Sequence, residues 1–152
     1  MAVKTKIKLT ASLEDYLEAI FNLIGPDGSN VARSKDIAEA LEVSRASVTG
    51  ALRALGEKGF VNYKPYGFIT LTQKGAAEAG KIVKRHEIIE LFFTDILGVD
   101  ANTAQQAACK AEHVLGQAVT VKLLEFMDFF QSYEKNDKNL ADEFRAFCKI
   151  KR

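Results

Sequence analysis

Two short amphipathic stretches, each opened by a serine and separated by only two residues, restrict the fold of this chain more than any other feature. Ser34 begins the first, where Ile37, Ala38 and Leu41 are apolar, and Ser44 begins the second, which runs past Val48, Leu52 and Leu55 to about Lys58 and stops at Gly59. A serine hydroxyl accepts from the amides that open a helix, and glycine readily takes the left-handed conformation that closes one. The connection Glu42-Val43 is too short to let the helices separate, so they cross and share a core. This is the spacing of a helix-turn-helix, whose second helix can enter a DNA major groove.

The flanking sequence extends that unit. Leu13, Tyr16, Leu17, Ile20, Phe21 and Ile24 recur at helical spacing behind Ser12, read as the cap, and Gly25-Pro26-Asp27-Gly28 breaks the pattern. Beyond Gly59, Phe60–Tyr63 and Phe68–Leu71 read as two short strands around the turn Lys64-Pro65-Tyr66-Gly67. A helix-turn-helix followed by a hairpin makes a winged helix. From Thr72 a helical pattern runs to about Leu97 and stops at Gly98, although Gly75 and Gly80 weaken it locally. Ala104 to about Leu115 forms another helix, and Thr120 is read as the cap of the next, with Val121, Leu124, Met127 and Phe130 on its apolar side. Gln131–Asn139 reads as a linker and Leu140–Ile150 as a final helix. The expected fold is therefore mainly α, a winged helix-turn-helix over 1–75 and a helical domain over 76–152. The second half carries more apolar surface than a winged helix could cover, and a two-fold homodimer is the economical way to bury it.

Composition narrows the functional classes. No run of about eighteen apolar residues occurs, and the start of the chain lacks an apolar signal core, so a cytoplasmic protein without membrane contact is expected. Cys109 and Cys148 are read as thiols, as suits a reducing compartment. A net charge of +1 neither favours nor opposes nucleic-acid binding, because clustering matters more than the sum. Lys4, Lys6 and Lys8 form a small basic arm that could reach phosphates or simply fray in solvent.

The second helix of the pair has the chemistry of a DNA reader. Arg45, Ala46, Ser47, Thr49 and Gly50 are small or hydrogen-bonding, while Val48, Leu52 and Leu55 turn to the core. Small side chains let a backbone approach base edges, and Arg45 can bond guanine or phosphate. Ser34, Ser44, Lys64 and Tyr66 complete the candidate DNA-binding set. The competing reading is a helical hairpin used for protein contacts.

Three helical segments also carry clustered metal-ligand types. Cys109, Glu112 and His113 stand at i, i+3 and i+4, His86 and Glu90 one turn apart, and Asp15 and Glu18 at i, i+3. Sulfur, imidazole nitrogen and several carboxylate oxygens suit a first-row divalent transition metal better than calcium or magnesium. The bland alternative is a buried cysteine beside two surface polar residues. A nucleophilic Cys109–His113 pair would need an oxyanion site and a substrate pocket that nothing marks, so no enzymatic activity is expected.

These residues together resemble the family of metal-dependent transcriptional regulators that includes the diphtheria toxin repressor and the manganese transport regulator. The resemblance is carried by Glu14-Asp15-Tyr16-Leu17-Glu18-Ala19-Ile20, Asp36-Ile37-Ala38-Glu39-Ala40-Leu41, Val43-Ser44 with Val48-Thr49, Leu71-Thr72 with Lys74-Gly75, Arg85-His86-Glu87, and Cys109 with Glu112-His113. It implies a winged helix joined to a helical dimerization and metal-binding domain, in the short form that lacks an SH3-like domain. It further implies a homodimeric repressor of metal-homeostasis genes acting on operator DNA. Carried over position by position, Asp15, Glu18, His86, Cys109, Glu112 and His113 are the implied ligands of a site for one or two ions per subunit, with Glu90 a candidate for the neighbouring ancillary site. Manganese-type members share Asp15 but have Glu in place of Cys109. Iron-type members share the Cys but have Met in place of Asp15 and His in place of Gln105, so the implied ion is Fe2+ or Mn2+. Two other readings remain open at this point: a winged-helix regulator answering a small ligand or thiol oxidation, and a metal-buffering protein.

Overall fold

The computed structural model describes residues 9–25, 28, 30–134 and 140–150. The Lys4, Lys6 and Lys8 arm, the Pro26-Asp27 pair and linker residues 135–139 lie outside the described residues. The chain divides into two compact units, Met1–Val83 and Lys84–Arg152.

In the first unit, α1 (Ala11–Ile24), α2 (Ser34–Ala40) and α3 (Arg45–Glu57) pack around one core. The helix-turn-helix is as its apolar spacing requires: Val48, Leu52 and Leu55 are fully buried with Leu17, Ile20 and Ile37. Ser44 caps α3, its Oγ accepting from the Ser47 amide at 3.1 Å. The tight turn before it places Glu42 in the left-handed region, φ 54°. Two other expected caps shift. Thr10, not Ser12, opens α1, because Thr10 is extended and its Oγ1 accepts from the Leu13 amide at 3.3 Å while Ser12 is already helical. Arg33 rather than Ser34 stands at the head of α2, with no side-chain hydrogen bond there.

The wing is shorter than the sequence suggests. β1 (Val61–Asn62) and β2 (Thr70–Leu71) pair antiparallel, Val61 opposite Leu71 and Asn62 opposite Thr70. Ahead of β1, Phe60 is drawn into closing α3, its amide donating to the Leu55 carbonyl at 2.9 Å. An isolated bridge between Ala32 and Ile69 ties the segment before α2 to the base of the wing. Thr72 then opens α4 (Gln73–Leu91): its Oγ1 accepts from the Gly75 amide at 3.0 Å and donates to the Gly59 carbonyl at 2.7 Å. Gly75 is a requirement rather than a weakness, since a Cβ there would stand 1.8 Å from the Phe60 carbonyl oxygen.

In the second unit, the last turns of α4 pass into a π-helical turn, Phe92–Ile96. There the Leu97 amide donates to the Phe92 carbonyl at 3.1 Å, and the Thr94 hydroxyl donates to the Glu90 carbonyl at 3.2 Å. Asp100 heads α5 (Ala101–Glu134), its carboxylate accepting from the Thr103 amide at 3.0 Å. That amide, and then the Thr103 hydroxyl, hold the Asp100 carboxyl below its ordinary range. α5 breaks at Gly116, φ 66° and ψ 170°. Glycine suits this point because a side chain at positive φ would be strained. The expected cap at Thr120 is therefore wrong: the second segment has started already, and the Thr120 hydroxyl donates back to the Gly116 carbonyl at 2.9 Å from inside it. The helix also runs to Glu134, into what the sequence reads as linker. With α6 (Leu140–Ile150), these elements bury Ile88, Ile96, Met127, Phe130 and Ala141. Val121, Phe126, Phe129, Phe144 and Phe147 stay exposed, an apolar surface of the kind that partner helices cover.

Candidate metal centre and nucleic-acid interface

Glu112 is the centre of the second unit's chemistry. It lies on α5 at 0% exposure, among the largest fully buried side chains of the molecule. Its Oε2 is 2.9 Å from His86 Nδ1 on α4. Its Oε1 is 3.4 Å from His113 Nε2, the next residue on its own helix. The other ring nitrogen of His86, Nε2, lies 3.3 Å from Glu90 Oε2, one turn further along α4. His86 and His113 side chains are 15% and 11% exposed. Two imidazoles and two carboxylates thus form a run of contacts, with His113 on one oxygen of Glu112, His86 on the other, and Glu90 on the ring nitrogen of His86 that faces away from Glu112.

This arrangement asks for a cation. A buried carboxylate is costly unless its lone pairs are met, yet Glu112 Oε1 accepts no hydrogen bond among the described residues. His86 can donate from both ring nitrogens, to Glu90 and to Glu112, only as the imidazolium. A divalent ion would supply the missing positive charge, and imidazole nitrogen with carboxylate oxygen is a donor set for first-row metals. The residues present therefore fit a resident transition-metal ion.

The remaining expected ligands are placed as follows. Cys109 precedes Glu112 by one turn on α5 and is exposed, as is Cys148. This reverses the bland reading of a buried cysteine beside surface polar residues: the carboxylate is buried and the cysteine is not. Asp15 and Glu18 belong to the first unit, half-buried on α1, where Tyr16, Leu17 and Ile20 between and beyond them enter the core.

The candidate DNA-reading face also lies in the first unit. Arg45, Ala46, Ser47 and Gly50 are exposed on the opening turns of α3, with Thr49 half-buried. Ser44 and Ser47 hydroxyls bond each other at 2.8 Å, and Thr49 Oγ1 donates to the Arg45 carbonyl at 3.0 Å, so the hydroxyls of this face are braced against their own helix. Ser34 is half-buried at the start of α2, and Lys64 and Tyr66 are exposed on the wing. Sequence reasoning passed over Arg33, whose guanidinium lies 5.2 Å from the Phe68 ring centroid. The Ala32–Ile69 bridge sets this pair opposite one another, and it joins the expected second strand of the wing to a segment before α2 that has no strand pattern of its own.

Comparison with known proteins agrees with this division of labour. The iron dependent repressor N-terminal DNA binding domain matches residues 8–69, and the iron dependent repressor metal binding and dimerisation domain matches residues 72–140. An HTH-type transcriptional regulator of Methanocaldococcus jannaschii is 38% identical over 123 residues, covering 81% of this chain and 98% of that protein. The HTH-type transcriptional regulator MntR of Bacillus velezensis is 35% identical over 131 residues, covering 86% of this chain and 90% of the relative. Among solved structures, a manganese-dependent transcriptional repressor in complex with manganese superimposes with a TM-score of 0.66 at 26% identity. That match covers 77% of this chain and 53% of the solved one, so the chain spans about half the length of that structure.

Proposed function

This chain belongs to the iron-dependent repressor family, a metal-dependent transcriptional repressor and not an enzyme, and we propose that its buried Glu112 cluster is the centre through which metal controls DNA binding. The observation that carries the reading is the fully buried carboxylate with an unmet oxygen between two imidazoles. We assign Glu112, His113, His86 and Glu90 to the metal-holding set, joined by Asp15, Glu18 and Cys109, with Fe2+ or Mn2+ as the ion, one or two per subunit. When bound, the ion supplies positive charge that the clustered carboxylates share.

The rest of the mechanism belongs to the chain. Asp15 and Glu18 ride on α1, whose Tyr16, Leu17 and Ile20 lie in one core with Val48, Leu52 and Leu55 of α3. Fixing the α1 carboxylates therefore fixes the helix that bears Arg45, Ala46, Ser47 and Thr49. In a homodimer, two such heads must sit at the spacing of two half-sites. Restricting their freedom shifts the population toward the DNA-competent arrangement, by no more than the differential affinity of the ligands for the two arrangements. Ser34, Ser44, Lys64 and Tyr66 are assigned to the same DNA face. The site of action is the cytoplasm; no helix among the described residues is long and apolar enough to cross a membrane.

The test is DNA binding by fluorescence anisotropy, using a duplex selected from a random pool by the Mn2+-loaded protein. Binding should require added Mn2+ or, anaerobically, Fe2+, and should vanish with chelator. Equal affinity with and without metal would refute the reading, and would leave a thiol- or ligand-responsive regulator in its place.

A further inference from the structure

The base of the wing holds a cation that the DNA-reading helix does not supply. Ala32 and Ile69 form an antiparallel bridge through both backbone hydrogen bonds, Ala32 amide to Ile69 carbonyl at 3.2 Å and the reverse at 2.9 Å. That register sets Arg33 directly opposite Phe68. The two side chains meet as a cation–π pair, guanidinium carbon 5.2 Å from the ring centroid, within the range where such attraction operates.

Three features distinguish Arg33 from an ordinary surface arginine. It forms no ion pair with a carboxylate among the described residues, whereas Lys35, two positions later, pairs with Glu39 at 3.6 Å. Its partner Phe68 is an apolar ring left 57% exposed on a two-stranded wing, where burial gives the aromatic no reason to be present. Finally, the same hairpin carries the exposed Lys64 and the fully exposed Tyr66, the latter at φ 62°. An arginine laid on an aromatic face keeps its N–H edges outward while losing much of its rotameric freedom beforehand, so less is lost on binding an anion. Its planar fork suits a phosphate.

We propose that Arg33, held in place by Phe68, is a phosphate clamp that grips the DNA backbone beside the wing, outside the bases read by α3. The proposal rests on the DNA-binding reading above and deepens it. Arg33 contributes affinity without sequence information, and Phe68 is a positioning residue acting through it.

The experiment uses the full-length, Mn2+-loaded protein, with anisotropy titrations at several salt concentrations on two duplexes: the one selected from a random pool and a scrambled one. Arg33→Ala should weaken binding to both by a similar factor, about fivefold at 0.15 M salt. It should also reduce the slope of log affinity against log salt by about 0.9, the signature of one lost phosphate contact. Arg33→Lys should keep the wild-type slope, and Phe68→Leu should keep the slope while losing about two- to threefold in affinity. Circular dichroism melts of each variant exclude unfolding as the cause. A wild-type slope in Arg33→Ala overturns the clamp. Loss confined to the selected duplex also overturns it, since Arg33 would then be reading a base. If wild type itself binds neither duplex with metal, the functional reading has failed rather than the clamp.

Discussion

Replacing Glu112 by Gln separates the metal-site reading from a purely structural role, because the two predict opposite signs in the metal-free protein. Glutamine keeps the side chain's size and removes its charge. In the apo form, wild type holds a carboxylate at 0% exposure with one oxygen accepting no hydrogen bond, a desolvation cost of about 1–3 kcal/mol that the amide escapes in part. The apo variant should therefore be as stable as wild type or slightly more so. With metal the order reverses. An ion at 100 times its Kd stabilises the folded state by about 2.7 kcal/mol, which for a chain of this size raises Tm by about 5–11 °C. Loss even of a supporting partner to a ligand lowers metal affinity about 10–100-fold, so loss of the buried carboxylate itself should reach at least the upper figure. At the same metal concentration the variant then gains only about 0.4 kcal/mol, or about 1 °C. Anaerobic scanning calorimetry of both proteins, with chelator and with Mn2+, measures all four values. A variant whose metal-induced shift equals that of wild type would falsify the assignment of Glu112. An apo variant several kcal/mol less stable than wild type would show that the two imidazoles already satisfy the carboxylate without a metal.

Gly75→Ala should destabilise the first unit by about 1–3 kcal/mol or more despite alanine's better helix propensity, because the added Cβ would meet the Phe60 carbonyl oxygen at 1.8 Å; urea melts that match wild type would show that the wing can shift away freely. Arg45→Ala should weaken binding to the selected duplex by about 1–3 kcal/mol if Arg45 reads a base edge, with little loss on the scrambled duplex; equal affinity for wild type and variant would remove α3 as the reader. Cys109→Glu replaces the one soft donor of the assigned set and should move the DNA-binding response from Fe2+ toward Mn2+; an unchanged metal preference at equal free-metal activity would place Cys109 outside the shell.

What could be read from the chain follows from which interactions are local. The α3 pattern of Val48, Leu52 and Leu55 depends only on helical period, and all three are buried. Ser44 was legible as a cap because nothing nearby competes, whereas Thr10 and Ser12 both offer a hydroxyl and only the backbone path of the incoming segment decides between them. The break in α5 was legible as an interruption but misplaced by a few residues, since Gly116 carries it and Thr120 merely sounds like a cap. At the site, spacing alone put Cys109, Glu112 and His113 on one helical face. Which of them is buried depends on what covers that face, and there Glu112 is fully buried against His86 of α4 while Cys109 stays exposed. The Arg33–Phe68 pair was illegible for the same reason, being set by a bridge between two segments far apart in sequence.

The wide turn at Phe92–Ile96 has a consequence for how this chain can change length. A π turn holds one residue more than the α turn it replaces. Deleting one residue between Phe92 and Ile96 would let the backbone relax to ordinary α pitch and leave everything after it close to its present rotation relative to His86 and Glu90, because the residue lost is the one that widens the turn. Ile96 would keep its place in the core it shares with Ile88 and Met127. Loss of one residue among descendants of this chain should therefore be absorbed in this segment, although nothing in its own five residues looks special.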